Sequence, residues 1–126
     1  MKALTKAGVA AILVVGCSRP PSIVGTWLWE HKGNSDVGKT YNADGTYRYW
    51  FRGSRVNITS EGTYKIDGDR LTETRTKRID SSGKIDTRVA TDAEEIIRWV
   101  TPDRLEEIDV GPDPEVGYLD RRKDPN

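Results

Sequence analysis

Residues 41–52, Tyr-Asn-Ala-Asp-Gly-Thr-Tyr-Arg-Tyr-Trp-Phe-Arg, join a turn to a strand. The Asn, Asp and Gly residues of 42–45 favour a chain reversal, because they accept positive φ or form local side-chain hydrogen bonds. Successive strand residues point to opposite faces. One face is aromatic, with Tyr47, Tyr49 and Phe51, and the other holds Arg48, Trp50 and Arg52. The pattern predicts a β-strand with an aromatic inner face and with Trp50 outside or at a rim.

Similar turn signals recur about every ten residues, at 67–69, 80–83 and 101–103. Stretches rich in Thr, Val, Ile, Tyr and Trp lie between them, which is typical of an antiparallel all-β domain. The predicted strands are 24–31, 38–42, 46–52, 57–66, 70–79, 85–91, 94–100, 104–110 and 117–122. Residues 93–100 also fit helical spacing, but their Ile, Trp and Val content favours a strand.

Eight or nine short strands in about 100 residues leave few ways to protect the sheet edges. Closure removes those edges, so a small up-and-down barrel over residues 23–122 is preferred to a sandwich. Residues 123–126 form a short tail. The strand near Glu73 alternates charged residues with threonine, so it is either solvated on both faces or lines a wet cavity.

The N-terminus has the organisation of a signal peptide over residues 1–16. A basic start with Lys2 and Lys6 precedes the apolar run 7–15, which is shorter than the roughly 20 residues of a transmembrane helix. The sequence Val-Val-Gly-Cys at 14–17 resembles the lipobox of bacterial lipoproteins. The resemblance implies that Cys17, the only cysteine, is acylated and anchors the protein to a membrane through residues 17–22. Ser18 favours the outer membrane over the inner one by the sorting rule of enteric bacteria.

The body of the chain resembles the lipocalin-like domains of small bacterial lipoproteins. The resembling segments are 23–27, 41–47, 61–71 and 118–122, which span most of the chain after Cys17. In that fold a basic residue of the last strand packs across the first-strand tryptophan, which implies a pair between Trp27 and Arg122, or alternatively Arg121. Gly25 would leave room for this approach. The chain is shorter than classical lipocalins and lacks their helix after the barrel, so a shallow cup is expected.

Removing residues 1–17 leaves 18 basic and 20 acidic side chains, a net charge of −2. Nucleic acid is therefore not an expected partner, since it selects a basic surface. His31, the only histidine, lies near a turn and has no recognisable nucleophile beside it, so no catalytic residue is expected. The acidic pairs at 94–95 and 106–107 place one carboxylate on each strand face, which indicates solvated charge. No metal site is expected, because Asp67-Gly68-Asp69 is interpreted as a turn, and no cofactor is expected, because the chain contains no phosphate-binding or dinucleotide-binding glycine motif.

Two functions remain open. The first is binding of a small amphipathic molecule or lipid fragment in the barrel, with candidate ligand-facing or core aromatics Trp29, Tyr47, Tyr49, Phe51 and Tyr64. The second is recognition of an envelope protein through the rim and loops of a barrel with a filled core. Trp50 between two arginines is the candidate contact, since exposed Trp and Arg are enriched in interface hot spots. An open cavity would favour the first function.

Overall fold

The computed structural model describes residues 21–30 and 36–123, which form nine β-strands and no helix. The strands are β1 (Gly25–Trp29), β2 (Asp36–Tyr41), β3 (Thr46–Arg52), β4 (Asn57–Asp67), β5 (Arg70–Ile79), β6 (Ile85–Asp86), β7 (Ala90–Thr101), β8 (Arg104–Asp109) and β9 (Val116–Arg121). Every pairing between them is antiparallel. The all-β prediction is confirmed.

Eight of these strands close into a barrel. The hydrogen-bonded order is β4-β3-β2-β1-β9-β8-β7-β5, and pairing of β5 with β4 completes the ring. The two-residue strand β6 pairs only with the far end of β5 and is not part of the ring. Closure gives every long strand two neighbours, which removes the exposed edges that favour association. The preference for a barrel over a sandwich is confirmed.

A glycine allows β4 and β5 to approach at a bend in the wall. The register between these strands shifts at Glu61 and Gly62. A Cβ on Gly62 would lie 1.9 Å from the carbonyl oxygen of Thr74, so a side chain cannot fit there without backbone movement. Bulges of this kind increase the bend and twist of a strand, and this one helps the sheet to curl into a ring.

The apolar core fills one end of the barrel, which we call the closed end. Its buried members are Ile23, Trp27, Tyr41, Tyr47, Leu71, Ile97, Leu105 and Leu119. The indole N–H of Trp27 donates a buried hydrogen bond of 2.8 Å to the carbonyl oxygen of Ile23. The ring of Trp99 meets Trp27 edge-on, with 5.8 Å between the ring centroids. Large aromatic rings thus supply much of the buried area that this small domain needs.

Arg121 covers Trp27 at the closed end, with the guanidinium carbon 4.4 Å from the ring centroid. Its Nη1 donates to the carbonyl oxygen of Val24 at 2.8 Å. A Cβ on Gly25 would lie 2.8 Å from the same Nη1, which confirms that this glycine leaves room for the arginine. The predicted choice of Arg122 for this pair is wrong. Arg121 is directly opposite Trp27 in the strand register and shares its face, whereas the next residue points the other way.

The largest difference from the predicted strand boundaries lies between residues 85 and 94. A strand was predicted over 85–91, but only Ile85 and Asp86 pair with β5, and β7 begins at Ala90. Residues 87–89 leave the sheet, and the side chain of Val89 is 71% exposed. Between the pairs Arg78–Asp86 and Arg75–Ala90, three residues (87–89) lie opposite two (76–77). The Arg88 N–H donates to Asp86 Oδ1 at 2.9 Å instead of to the sheet, so a local turn interrupts the strand.

Among residues 21–30 and 36–123 no helix is long and apolar enough to cross a bilayer. The predicted signal peptide 1–16, Cys17 and His31 lie outside the described residues.

Candidate functional site

An open cavity of about 590 Å³ lies inside the barrel, next to the apolar core of the closed end. Its lining residues are Trp29, Val37, Lys39, Tyr49, Phe51, Glu73, Asp92, Ala93, Glu95 and Asp109. One side of the lining is therefore aromatic and the floor is charged. Such a volume is typical of small-molecule sites, which span roughly 300 to 1,000 Å³.

Strand alternation builds the cavity in layers. Moving along each strand in steps of two keeps the side chain inside the barrel. On β2, β5, β7 and β8 these steps lead from a core residue to a charged residue, and on β2, β7 and β8 one further step reaches the cavity wall. The series are Tyr41-Lys39-Val37 on β2, Leu71-Glu73 on β5, Ile97-Glu95-Ala93 on β7 and Leu105-Glu107-Asp109 on β8. The charged layer, which we call the floor cluster, consists of Lys39, Glu73, Glu95 and Glu107.

The floor cluster places one ammonium among three carboxyl groups. Lys39 Nζ lies 3.0 Å from Glu73 Oε2, 3.6 Å from Glu95 Oε1 and 3.5 Å from Glu107 Oε1. The exposed fraction is 4% for Lys39, 3% for Glu95 and 1% for Glu107. Charged side chains are rarely buried to this extent unless they are paired. The cluster is therefore a network of ion pairs in the barrel interior.

The three carboxyl groups are not equally satisfied. Glu73 Oε2 accepts hydrogen bonds from Lys39 Nζ at 3.0 Å and from the Tyr41 hydroxyl. Glu95 Oε1 and both carboxyl oxygens of Glu107 are buried with no hydrogen-bond partner among the described residues. A buried polar atom without a partner loses roughly 1 to 3 kcal/mol of solvation, and more when it is charged. Lys39 lies within ion-pair distance of both acids, but one ammonium can balance only one of the three carboxylate charges.

The protonation of the cluster follows from this imbalance. Burial disfavours the charged form of Lys39, but the acidic groups around it outweigh that effect and raise its pKa well above its ordinary value. Burial raises the pKa of Glu95 to about 8, against the opposing attraction of Lys39. Burial likewise raises the pKa of Glu107. The floor thus combines an ammonium with at least one carboxyl group, Glu95, that holds a proton near neutral pH.

The aromatic wall is formed by Trp29, Tyr49 and Phe51. The Trp29 ring lies close against Gly117, where a Cβ would be 2.8 Å from the ring. Lys39 Nζ lies 5.3 Å from the Trp29 ring centroid, within cation–π range. The wall and the floor therefore meet at Lys39.

Three of the five candidate ligand-facing aromatics line the cavity, and the other two do not. Tyr47 is buried in the core, and its hydroxyl donates to Asp92 Oδ2 at 2.9 Å. Tyr64 packs edge-on against Tyr41, with 4.9 Å between ring centroids, and its hydroxyl donates to the Asn42 carbonyl oxygen. Both rings stabilise the barrel.

Trp50 lies on the outer face, as predicted, but is only 9% exposed. It lies over Gly38, where a Cβ would be 2.3 Å from the ring. Its indole N–H donates to Asp36 Oδ1 at 3.2 Å, and the Arg52 guanidinium lies 5.9 Å from the ring centroid. Little of the ring is left for a protein partner.

The sequence interpretation missed the floor cluster. The acids of 94–95 and 106–107 were interpreted as solvated on both faces, but Glu95 and Glu107 are buried inside the barrel. Glu94 and Glu106 instead pair with Arg70 and Arg98. The signal was present in Ile97 and Leu105, which share the inner face with the buried acids. This pattern could not identify the buried acids, because the sequence alone does not show which strand face the barrel encloses.

The floor cluster does not have the composition of a metal centre. Within the part of the chain that the structure describes, no group of three or more His, Cys, Asp and Glu side chains is arranged to hold a metal ion. The Lys39 ammonium occupies the position among the carboxyl groups that a cation would take.

No protein-family model matches the chain, and a search of curated proteins finds no significant match. The closed eight-stranded antiparallel barrel is consistent with a lipocalin-like fold. Functional inference therefore depends on the geometry of the cavity.

Proposed function

We propose that this protein is a lipid-anchored envelope protein whose lipocalin-like barrel binds a small amphipathic molecule. The observation that supports this proposal is the open cavity of about 590 Å³ with an aromatic wall and a charged floor. Amphipathic ligands need both environments, because the apolar part is removed from water while the polar part must be paired.

The barrel keeps this space even though its core is small. Phe51 and Tyr49 line a cavity instead of interdigitating across it, as they would in a filled barrel. An eight-stranded barrel can be filled by side chains or can hold one small ligand. The open form favours ligand binding over the alternative of a protein-binding barrel with a filled core.

The proposed anchor would set the direction of access. Residues 17–22 lead to Ile23, which is buried at the closed end, and the Ser22 carbonyl oxygen accepts a hydrogen bond from Arg121 Nη2 at 2.7 Å. The five residue-to-residue steps from Cys17 to Ser22 span at most about 18 Å. With lipid on Cys17 the closed end would lie nearest the membrane, and the cavity would open away from it. The ligand would then enter from the aqueous side.

A binding role is proposed in preference to catalysis. Lys39 is held in its charged form by the surrounding acids, and an ammonium is not a nucleophile. The cluster therefore acts as an electrostatic floor.

Ligand titration tests the proposal. The full chain carrying Cys17→Ala, so that no acyl chain competes, would be titrated with fatty acids, lysolipids, alkyl alcohols and alkylammonium ions by tryptophan fluorescence. Ala93→Trp should block the cavity and abolish binding. Val100→Trp adds the same ring to the same strand at an exposed position and should bind normally. Absence of binding at micromolar concentrations throughout the panel would overturn the proposal.

The anchor has an independent test. Expression of the full chain in a bacterial host, followed by mass spectrometry, should give a mature protein that begins at Cys17 and carries acyl groups. Cys17→Ala should release the protein from the membrane fraction. A mature chain without lipid would rule out the anchor and leave the ligand-binding proposal intact.

A further inference from the structure

We infer that the ligand is an organic cation, an amine or quaternary ammonium with an apolar chain, whose charged head lies beside Glu95 while its chain lies against the aromatic wall. This inference rests on the proposed ligand-binding function and names the chemical class of the ligand.

The charge of the site favours a cation. The floor cluster has three carboxyl groups and one ammonium, which amounts to a charge of −2 when all are ionised. Asp92 and Asp109 add carboxyl groups higher on the wall. Arg75 pairs with Asp92 at 3.1 Å, but Lys39 is the single cationic side chain among the described lining residues. As these carboxyl groups ionise, the excess of negative charge in a low-dielectric cavity attracts positive ligands.

The unpartnered carboxyl oxygens give a second, independent observation. Glu95 is 3% exposed, lines the cavity and has a buried Oε1 without a hydrogen bond. Glu107 lies behind it, 1% exposed, with neither oxygen hydrogen-bonded. Lys39 can balance only one of the three carboxylate charges of the floor cluster. A cation held in the cavity beside Glu95 would add the positive charge that the remaining carboxyl groups attract.

An anionic head fits the site poorly. Lys39, the cation that could receive it, lies within 3.6 Å of all three carboxyl groups. A carboxylate or phosphate approaching Lys39 would therefore also approach Glu73 and Glu95. Like charges at this separation repel strongly in a low-dielectric interior.

The aromatic wall suits the same ligand class. Trp29, Tyr49 and Phe51 present ring surfaces to the cavity. Aromatic faces attract cations through the ring quadrupole, and quaternary ammonium groups are recognised in this way. The rings also offer apolar surface to a chain.

Protons compete with the ligand for the floor. The groups facing Glu95 are Lys39 and Tyr41 from β2, Glu73 from β5, Glu107 and Asp109 from β8, and Asp92 from its own strand. In the empty barrel burial raises the pKa of Glu95 to about 8, and a bound cation would lower it again. Binding below pH 8 therefore releases a proton. Affinity for the cation should rise with pH between 6 and 8 by up to about tenfold per unit for each proton displaced.

Three probes with one chain length test the inference by isothermal titration calorimetry. Decyltrimethylammonium, decanol and decyl sulfate, each below its micellar concentration, would be titrated into the Cys17→Ala full chain at pH 6, 7 and 8. We expect the ammonium to bind about tenfold or more tightly than decanol at pH 8, and the sulfate to bind most weakly. The quaternary head does not titrate, so any pH dependence reports on the protein.

The matched variants are Glu95→Gln and Glu94→Gln. Both remove one carboxylate from β7, but Glu94 is exposed and pairs with Arg70 outside the barrel. Glu95→Gln should weaken decyltrimethylammonium about tenfold and remove most of its pH dependence while leaving decanol unchanged. Glu94→Gln should change neither ligand. Circular dichroism of each variant verifies that the barrel is folded.

The outcomes separate the two proposals. Equal binding of all three probes, or preference for the sulfate, would overturn the cation inference and leave the ligand-binding function standing. An equal loss in Glu94→Gln and Glu95→Gln would also overturn it, since the attraction would then come from the surface. Failure of all three probes to bind would overturn the cation inference, and absence of binding throughout the wider panel described above would overturn both proposals.

Discussion

The closed end and the floor cluster are neighbouring layers of one barrel, yet they treat buried polar groups in opposite ways. At the closed end the Trp27 N–H donates to Ile23, and the Arg121 guanidinium is bonded to backbone carbonyl oxygens. Two residues further along β7 and β8, Glu95 and Glu107 are buried with oxygens that lie near Lys39 but make no hydrogen bond among the described residues. Satisfied polar groups stabilise a fold, whereas unsatisfied ones reduce its stability and persist where function requires them. The closed end therefore holds the barrel together, whereas the floor cluster concentrates buried charge that does not stabilise the fold in the same way.

The strongest test of the closed end is Trp27→Ala. It removes a fully buried indole, its hydrogen bond to Ile23 and the surface on which Arg121 packs. We expect the free energy of unfolding to fall by about 3 to 5 kcal/mol, the usual range for a buried tryptophan. Urea denaturation measures it. Trp27→Phe keeps most of the packing and should be affected less; a loss below about 1 kcal/mol in the alanine variant would contradict the role of the closed end.

The matching test of the floor is Lys39→Met. It leaves three buried carboxyl groups without their ammonium, and breaking a buried ion pair in this way destabilises by about 3 kcal/mol or more. The loss should be largest at pH 8, where the acids tend to ionise, and smaller at pH 5, where they can hold protons. Urea denaturation at both pH values measures this. A loss independent of pH would show that Lys39 contributes by packing alone.

A third test uses the pH dependence of the wild-type protein. Burial raises the pKa of Glu95 from 4.5 to about 8, so between these values the folded barrel holds a proton that the unfolded chain has released. Stability from this group therefore falls as pH rises through that window, by up to about 1.4 kcal/mol per unit. Glu95→Gln should flatten the profile and be more stable than the wild type at pH 8. Glu94→Gln should retain the wild-type slope, and an identical slope in all three proteins would contradict the assignment.

The smallest effect distinguishes two adjacent arginines. Arg121→Ala removes the cation–π contact with Trp27 and the bonds to Val24 and Ser22, so we expect a loss of about 1 to 2 kcal/mol. Arg122→Ala keeps its backbone hydrogen bond to the Thr26 carbonyl oxygen and should change stability by less than about 0.5 kcal/mol. Thermal melting of the two variants tests this order, and a reversed order would restore Arg122 as the closing residue.

Much of the barrel could be predicted from local sequence. The turn at 42–45 has Gly45 at φ +89°, and Tyr47, Tyr49 and Phe51 share the inner face. These features follow from rules that act within a few residues, namely turn chemistry and side-chain alternation. The predicted strand over 85–91 is interrupted because residues 87–89 bulge out of the sheet, where the Arg88 N–H donates to the Asp86 carboxylate.

The sequence by itself determined most of the strands, the turns and the aromatic face of β3, because each depends on local backbone preference or on period-two alternation. The tertiary structure decided which acids are enclosed and which arginine covers Trp27. It also placed the Trp50 ring against Gly38, where any side chain would clash with the ring. Lys39 is separated from Glu73, Glu95 and Glu107 by 34 to 68 residues in the chain, and only closure of the ring joins them. A charged residue in an alternating strand has the same local pattern whether its face meets water or the barrel interior, so the floor cluster emerges only from the assembled sheet.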